Sequence, residues 1–224
     1  MCFSATASFV ASGVIGAVGI ATLTHVRQPR AIPFAALPLL FALHQFIEGF
    51  VWLGLEGRIG QTATDGATLL FILFAKGILP FLIPFSVTLM EPAGWRRHAM
   101  TALTVLGAIL CFWVLWAVLS HPSFATIEHH SIHYHNQRTG GLTIRAVYIL
   151  TTCGALLLSS HRVVRWFGIL NAAGLTVVFL VKGYAFASVW CFYAAALSMM
   201  LYWQFSRKNI EVPAPNRRLF KAAD

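Results

Sequence analysis

The chain has 224 residues, of which 58% are hydrophobic and only 10% are charged, and its mean hydropathy is +0.73. These values exclude an ordinary soluble domain, in which about a quarter of the residues carry charge. With about 20 residues per spanning helix, the chain has room for about six to eight spans and almost no separate soluble domain. The formal net charge of +9 does not indicate nucleic-acid binding, because the basic residues lie in short loops and at the C-terminus.

Apolar runs predict an all-α, polytopic membrane bundle with about seven transmembrane helices. The predicted helices cover 5–24, 33–55, 66–90, 99–119, 142–159, 163–182 and 184–205. They form one domain, 1–206, followed by a basic tail, 207–224. Pro80 and Pro84 are expected to kink the third helix, because proline removes backbone donors.

The distribution of basic residues predicts the orientation of the bundle. Eleven basic residues lie in the first, third and fifth loops and the tail: Arg27, Arg30, Arg96, Arg97, Arg162, Arg165, Arg207, Lys208, Arg217, Arg218 and Lys221. Only four lie on the other side: Arg58, Arg138, Arg145 and Lys182. The positive-inside rule therefore predicts an external N-terminus and a cytoplasmic C-terminus. The expected partners are the lipid bilayer and a small molecule or ion.

The second predicted helix carries a polar stripe within an apolar run of about 24 residues, Pro33 to Glu56. His44, Glu48 and Trp52 are spaced four apart, so they share one face of an α-helix. A carboxylate inside a bilayer is unfavourable unless it faces the protein interior and meets a partner. We therefore expect this stripe to be the core of a functional site.

Counting 1.5 Å per residue from the helix ends places several polar residues in the outer half of the bundle. These residues are Cys2, His44, Glu48, Lys76, Arg145 and Cys191. Glu48, Arg145 and Lys76 are the candidate catalytic residues, because ionisable groups in a membrane usually mark functional sites. The alternative is an ion pair of Glu48 with Lys76 or Arg145 that only fixes helix packing.

The same cluster predicts a metal site with Cys2, Cys191, His44 and Glu48 as ligands. Two thiolates, an imidazole and a carboxylate suit tetrahedral zinc, and copper could also use the thiolates and the imidazole. The sequence contains no compact motif such as CxxC or HExxH, so the ligands would come from distant helices. Cys191 could equally be a packing residue.

The fourth loop is rich in histidine and lies on the predicted external side. It contains His121, His129, His130, His133 and His135, with Glu128 beside them. His129 and His133 could bind a metal if the loop were helical, and His133 and His135 if it were extended. The loop could collect ions or relay protons, because imidazole titrates near neutral pH, or it could be a solvated surface.

Three stretches carry a resemblance: MCFSATASF, ALPLLFALHQFIEGFVW and SVWCFYAAALS. Through them the chain resembles a family of small bacterial integral membrane proteins that open with MCFSA. The resemblance implies a multi-span fold in a bacterial inner membrane. It draws attention to Cys2, Glu48, Trp190 and Cys191, but it supplies no activity. His44 and the histidines of the fourth loop are not part of the pattern.

Three classes of function remain open. A zinc-dependent hydratase (a lyase) or hydrolase would use a metal-bound water, for example to hydrate carbon dioxide. A transporter would carry a proton, ion or metal past Glu48, Lys76 and His44, but the inner halves of the helices offer a thin polar lining. A sensor would report metal capture to a partner, although the tail is too short to form a signalling domain.

Overall fold

The computed structural model describes residues 4–128, 131–182, 197 and 199–207, and most of these are helical. The helices are α1 (Ala5–Thr24), α2 (Ile32–Ala35), α3 (Leu37–Leu55), α4 (Gln61–Ile72), α5 (Leu79–Met90), α6 (Trp95–Ser120), α7 (Leu142–Leu158) and α8 (Arg162–Lys182). A 3₁₀ turn precedes α2 (Pro29–Ala31), and a π-helical turn joins α4 to α5 (Leu73–Ile78). Between α6 and α7, the antiparallel strands β1 (Phe124–Glu128) and β2 (Ser131–His135) form a hairpin.

Four helical stretches in the described part are long and apolar enough to cross a membrane. They are Ala5–Thr24, Pro29–Leu55, Gln61–Met90 and Trp95–Ser120, and Leu142–Leu158 is a shorter apolar helix. This is consistent with a membrane protein and supports the expected multi-span helical class. Seven spans, the domain boundary at 206 and the orientation stay predictions. The predicted last helix, 184–205, lies mostly outside the described residues.

The third predicted helix begins earlier than expected and contains an irregular turn. Helix α4 begins at Gln61, five residues before the apolar run, because polar and small residues there can extend a helix beyond its apolar part. A π turn, Leu73–Ile78, lies just before Pro80, and the kinks expected at Pro80 and Pro84 stay predictions. Pro80 has no N–H to donate to the carbonyl of Lys76, so a wider turn is tolerated there.

Glycines allow two pairs of helices to approach each other closely. A Cβ on Gly19 of α1 would lie 2.6 Å from the backbone nitrogen of Leu39 in α3. A Cβ on Gly107 of α6 would lie 2.0 Å from the carbonyl oxygen of Pro80 in α5. Real Cβ atoms do not approach other heavy atoms this closely, so these helix crossings require glycine.

The buried apolar side chains form two clusters at different depths. The cluster beneath the hairpin includes Val51, Phe71 and Val114. The cluster toward the opposite end includes Phe41 and Met100. His44 and Glu48 lie on α3 between Phe41 and Val51, so both polar residues are placed where the two clusters meet.

Candidate metal centre

The two faces of the hairpin differ, because successive residues of a strand point to opposite faces. Thr126 pairs with His133 and Phe124 pairs with His135, so these four side chains share one face. The other face of β2 carries Ile132 and Tyr134, which are 1% and 6% exposed. The hairpin therefore packs its apolar face against the bundle and leaves the histidine face partly open.

Glu128, His133 and His135 form a compact group on this open face. One ligand atom from each lies within 4.8 Å of the others. The Glu128 Oε1 atom is 3.4 Å from His133 Nδ1 and 3.9 Å from His135 Nε2. About a third of each side chain is exposed (34% for His133, 31% for His135 and 42% for Glu128). A metal ion could reach this group from the surrounding water.

The charges of the group suit metal binding at neutral pH. The hydrogen bond with His133 is the main influence that lowers the pKa of Glu128, and the Thr126 hydroxyl acts in the same direction. Burial, followed by the charge of His133, lowers the pKa of His135, although Glu128 opposes this shift. Glu128 is thus ionised and His135 is neutral, the forms in which a carboxylate and an imidazole bind metals.

An aromatic stack anchors the hairpin to the bundle. The ring of Tyr134 lies 4.0 Å from that of Phe71, at an interplanar angle of 8°. Phe71 stacks in turn on His44 at 4.1 Å, and His44 stacks on Phe74 at 4.6 Å. Strand β1 also contacts α3 and α4. The hairpin is therefore fixed directly above the polar stripe of α3.

His44 and Glu48 are completely buried, each with 0% exposure. Glu48 accepts a hydrogen bond of 3.2 Å from Gln45 Nε2, one turn away on α3. Neither ring nitrogen of His44 has a hydrogen-bond partner among the described residues. Trp52, the third member of the stripe, is 3% exposed. The stripe faces the protein interior, and the roles predicted for His44 and Glu48 stay predictions.

Lys76 and Arg145 both lie at the hairpin end of the bundle. Lys76 Nζ donates to Thr139 Oγ1 at 3.2 Å, just before α7 begins. Arg145, in the first turns of α7, is exposed and lies close enough for its charge to act on the Lys76 ammonium. In the described part of the chain, Lys76 is bonded to Thr139 and forms no ion pair with Glu48. Their catalytic roles stay predictions.

The predicted cysteine ligands, Cys2 and Cys191, lie outside the described residues, as does Trp190. The zinc site built from these cysteines with His44 and Glu48 therefore stays a prediction. Of the described cysteines, Cys153 is buried and Cys111 is half-buried, and neither belongs to the hairpin group.

A family model described as "Family of unknown function (DUF6629)" matches residues 1–217. The chain belongs to this family. The DUF6629 match includes the hairpin and the polar stripe, so every candidate site residue lies within it. No curated protein and no solved structure matches the chain. That the opening MCFSA is characteristic of the family stays a prediction. The bacterial origin of the protein stays a prediction as well.

One buried carboxylate, Glu91, was not predicted, and it is 3% exposed. It lies at the end of the bundle opposite the hairpin and accepts bonds from Ser159 Oγ (3.1 Å), the Ser160 backbone nitrogen (3.0 Å) and the Ser160 hydroxyl. These bonds connect the end of α5 to the α7–α8 loop. The sequence places Glu91 beside Pro92 and Gly94, a pattern typical of an exposed turn, so no local signal indicates its burial.

Proposed function

We propose that the protein is a multi-pass membrane protein that binds a divalent metal ion, zinc by preference, at Glu128, His133 and His135. We further propose that it uses a metal-bound water in a hydration or hydrolysis reaction. The observation that carries the proposal is the mutual approach of the three ligand atoms, all within 4.8 Å. The proposed metal centre therefore lies on the hairpin, above the buried stripe where the sequence predicted it.

The spacing of the ligand atoms supports zinc. Ligands at about 2.0–2.2 Å from a tetrahedral zinc ion lie about 3.3–3.6 Å from one another. The observed separations of Glu128 Oε1 from the two histidines are 3.4 and 3.9 Å, so small side-chain rotations would complete the geometry. Two imidazoles and a carboxylate are also acceptable to copper, which is the alternative metal.

The ligand set supports a catalytic role for the metal. Two histidines and one glutamate occupy three positions of a tetrahedron, as in catalytic zinc sites, and the metal would supply an activated water at the fourth position. The Thr126 hydroxyl lies 2.9 Å from His135 Nε2 and 3.2 Å from Glu128 Oε1. It can therefore stay bonded to Glu128 and fix the carboxylate when His135 turns to the metal.

A different observation favours transport or sensing as a second candidate. The stack from Tyr134 through Phe71 reaches His44, whose buried ring nitrogens have no hydrogen-bond partner in the described part. A metal captured by the hairpin could be passed to His44 and the predicted ligands Cys2 and Cys191, or its presence could be reported to the bundle along this stack.

Zinc affinity measured by competition with a chromophoric chelator tests the proposal on protein purified without a histidine tag. We expect His133→Ala and His135→Ala to weaken binding more than about 100-fold, because even outer-shell changes cost about 10–100-fold. His98→Ala is the matched control, since His98 is exposed and bonds only Gly94 among the described residues. Stopped-flow carbon dioxide hydration on the same variants tests the reaction.

Two outcomes would contradict the proposal. Binding that survives both hairpin substitutions and disappears in Cys2→Ser or Cys191→Ser would place the metal in the buried set. Wild-type protein that binds no zinc or copper would exclude a metal function at either place.

A further inference from the structure

A second group of residues at the hairpin end carries two positive charges and contains none of the proposed metal ligands. Lys76 lies on the π turn Leu73–Ile78, which turns its side chain toward the start of α7. Its partner Thr139 is 2% exposed. An ammonium has three N–H donors. Among the described residues, only Thr139 accepts a hydrogen bond from the Lys76 ammonium. Irregular π turns are frequent at functional sites.

A second positive charge lies at the same end of the bundle as Lys76. Arg145 is in the first turns of α7, six residues after Thr139, and its guanidinium charge acts on the Lys76 ammonium. Lys76 is half-buried and Arg145 is exposed, and two positive charges that act on each other repel. An anion bound by both cations would relieve this repulsion.

No carboxylate within ion-pair distance neutralises Lys76 in the described part of the chain. The chain has seven acidic residues, and the described ones have bonding partners elsewhere: Glu48 with Gln45, Glu56 with Arg58, Asp65 with Gln61, Glu91 with Ser159 and Ser160, and Glu128 with His133. The remaining two, Glu211 and Asp224, lie in the C-terminal segment outside the described residues.

We propose that Lys76, Thr139 and Arg145 form a binding site for an oxyanion at the hairpin end of the bundle. The Lys76 ammonium supplies a point charge, and the described residues use only one of its N–H donors. Arg145 supplies a planar fork that matches two oxygens of a carboxylate, carbonate or phosphate group. The Thr139 hydroxyl can donate to a third oxygen while it accepts from Lys76. Arg145 is exposed, so the anion has a route from the surface.

The oxyanion that binds at this site could be a free anion or the phosphate of a lipid headgroup. The test uses chelator-treated protein in nanodiscs of zwitterionic lipid, so that it does not depend on the metal site. The midpoint of thermal unfolding is measured with sodium bicarbonate or sodium phosphate against sodium chloride at equal ionic strength. A second arm replaces part of the zwitterionic lipid with anionic phosphatidylglycerol.

We expect a saturable rise of the midpoint in at least one arm. Lys76→Gln, Lys76→Met and Arg145→Gln should each weaken the apparent affinity about tenfold or more, the effect of losing one charge-assisted hydrogen bond. Arg58→Gln should respond like wild type, because Arg58 is an exposed arginine at the end of α3 that pairs with Glu56. A response in the lipid arm alone assigns the site to a headgroup. The proposal is overturned if the midpoint of the Lys76 and Arg145 variants rises as much as that of wild type. It is also overturned if the midpoint of wild type rises in neither arm beyond its value in sodium chloride.

Discussion

The Tyr134 ring should hold the metal ligands in place, so Tyr134→Ala should weaken metal binding although the ligands themselves are unchanged. Tyr134 is 6% exposed and stacks on Phe71 with ring centroids 4.0 Å apart. Truncating a buried aromatic side chain to alanine costs about 3–5 kcal/mol, of which about 0.5–1.5 kcal/mol reflects the ring pair. An isolated two-stranded hairpin is only marginally stable in water. We therefore expect the hairpin of the variant to leave the bundle surface.

About 3 kcal/mol corresponds to a factor of about 100 in an equilibrium constant, which sets the expected loss of zinc affinity at up to about 100-fold. Competition with a chelator measures the affinity, and hydrogen exchange over 124–135 measures the docking of the hairpin. Tyr134→Phe keeps the ring and should remain within about threefold of wild type. Unchanged zinc affinity and unchanged amide protection in Tyr134→Ala would refute the role of the stack.

Three further predictions concern the pH dependence of zinc binding, the close approach at Gly107 and the buried carboxylate of Glu91. Zinc affinity should fall as the pH drops into the acid range, because protons compete with zinc for His135 and Glu128, and the lowered pKa values of these two groups move that competition to lower pH; a fall that is complete above pH 7 would contradict it. Gly107→Ala should lower the free energy of unfolding by about 1–3 kcal/mol through its clash with the Pro80 carbonyl, whereas Gly66→Ala, in open space, should not. Glu91→Gln should lower the thermal midpoint by weakening the bonds to Ser159 and Ser160, a cost of about 1–3 kcal/mol, whereas Glu56→Gln should leave it unchanged.

The helical part of the fold was largely predictable because bilayer thickness fixes the length of an apolar helix. The predicted 5–24 and the observed Ala5–Thr24 agree, and Ser4 caps this helix by accepting from the Ala7 backbone nitrogen. The π turn at Lys76 was not predicted, because proline indicates a distortion without specifying its form. The start of α4 at Gln61 was missed because polar residues give no hydropathy signal.

The hairpin shows why the candidate site was only partly predictable. The sequence indicated that His133 and His135 could bind a metal together if extended, but short alternating runs do not by themselves decide between a strand and a loop. The alternation of Ile132 and Tyr134 with the histidines is the signal that could have decided it. The position of Tyr134 on Phe71 depends on tertiary packing, which no local pattern encodes.

X-ray absorption spectroscopy of the zinc-loaded protein tests the central claim most directly, because zinc–sulfur bonds of about 2.3 Å are distinct from zinc–nitrogen and zinc–oxygen bonds of about 2.0–2.2 Å. A site built from Glu128, His133 and His135 predicts a first shell of nitrogen and oxygen alone, with the outer-shell scattering of two imidazoles, and loss of one imidazole in His135→Ala. A first shell that contains sulfur and is unchanged in His135→Ala would contradict the hairpin site and favour the cysteine set.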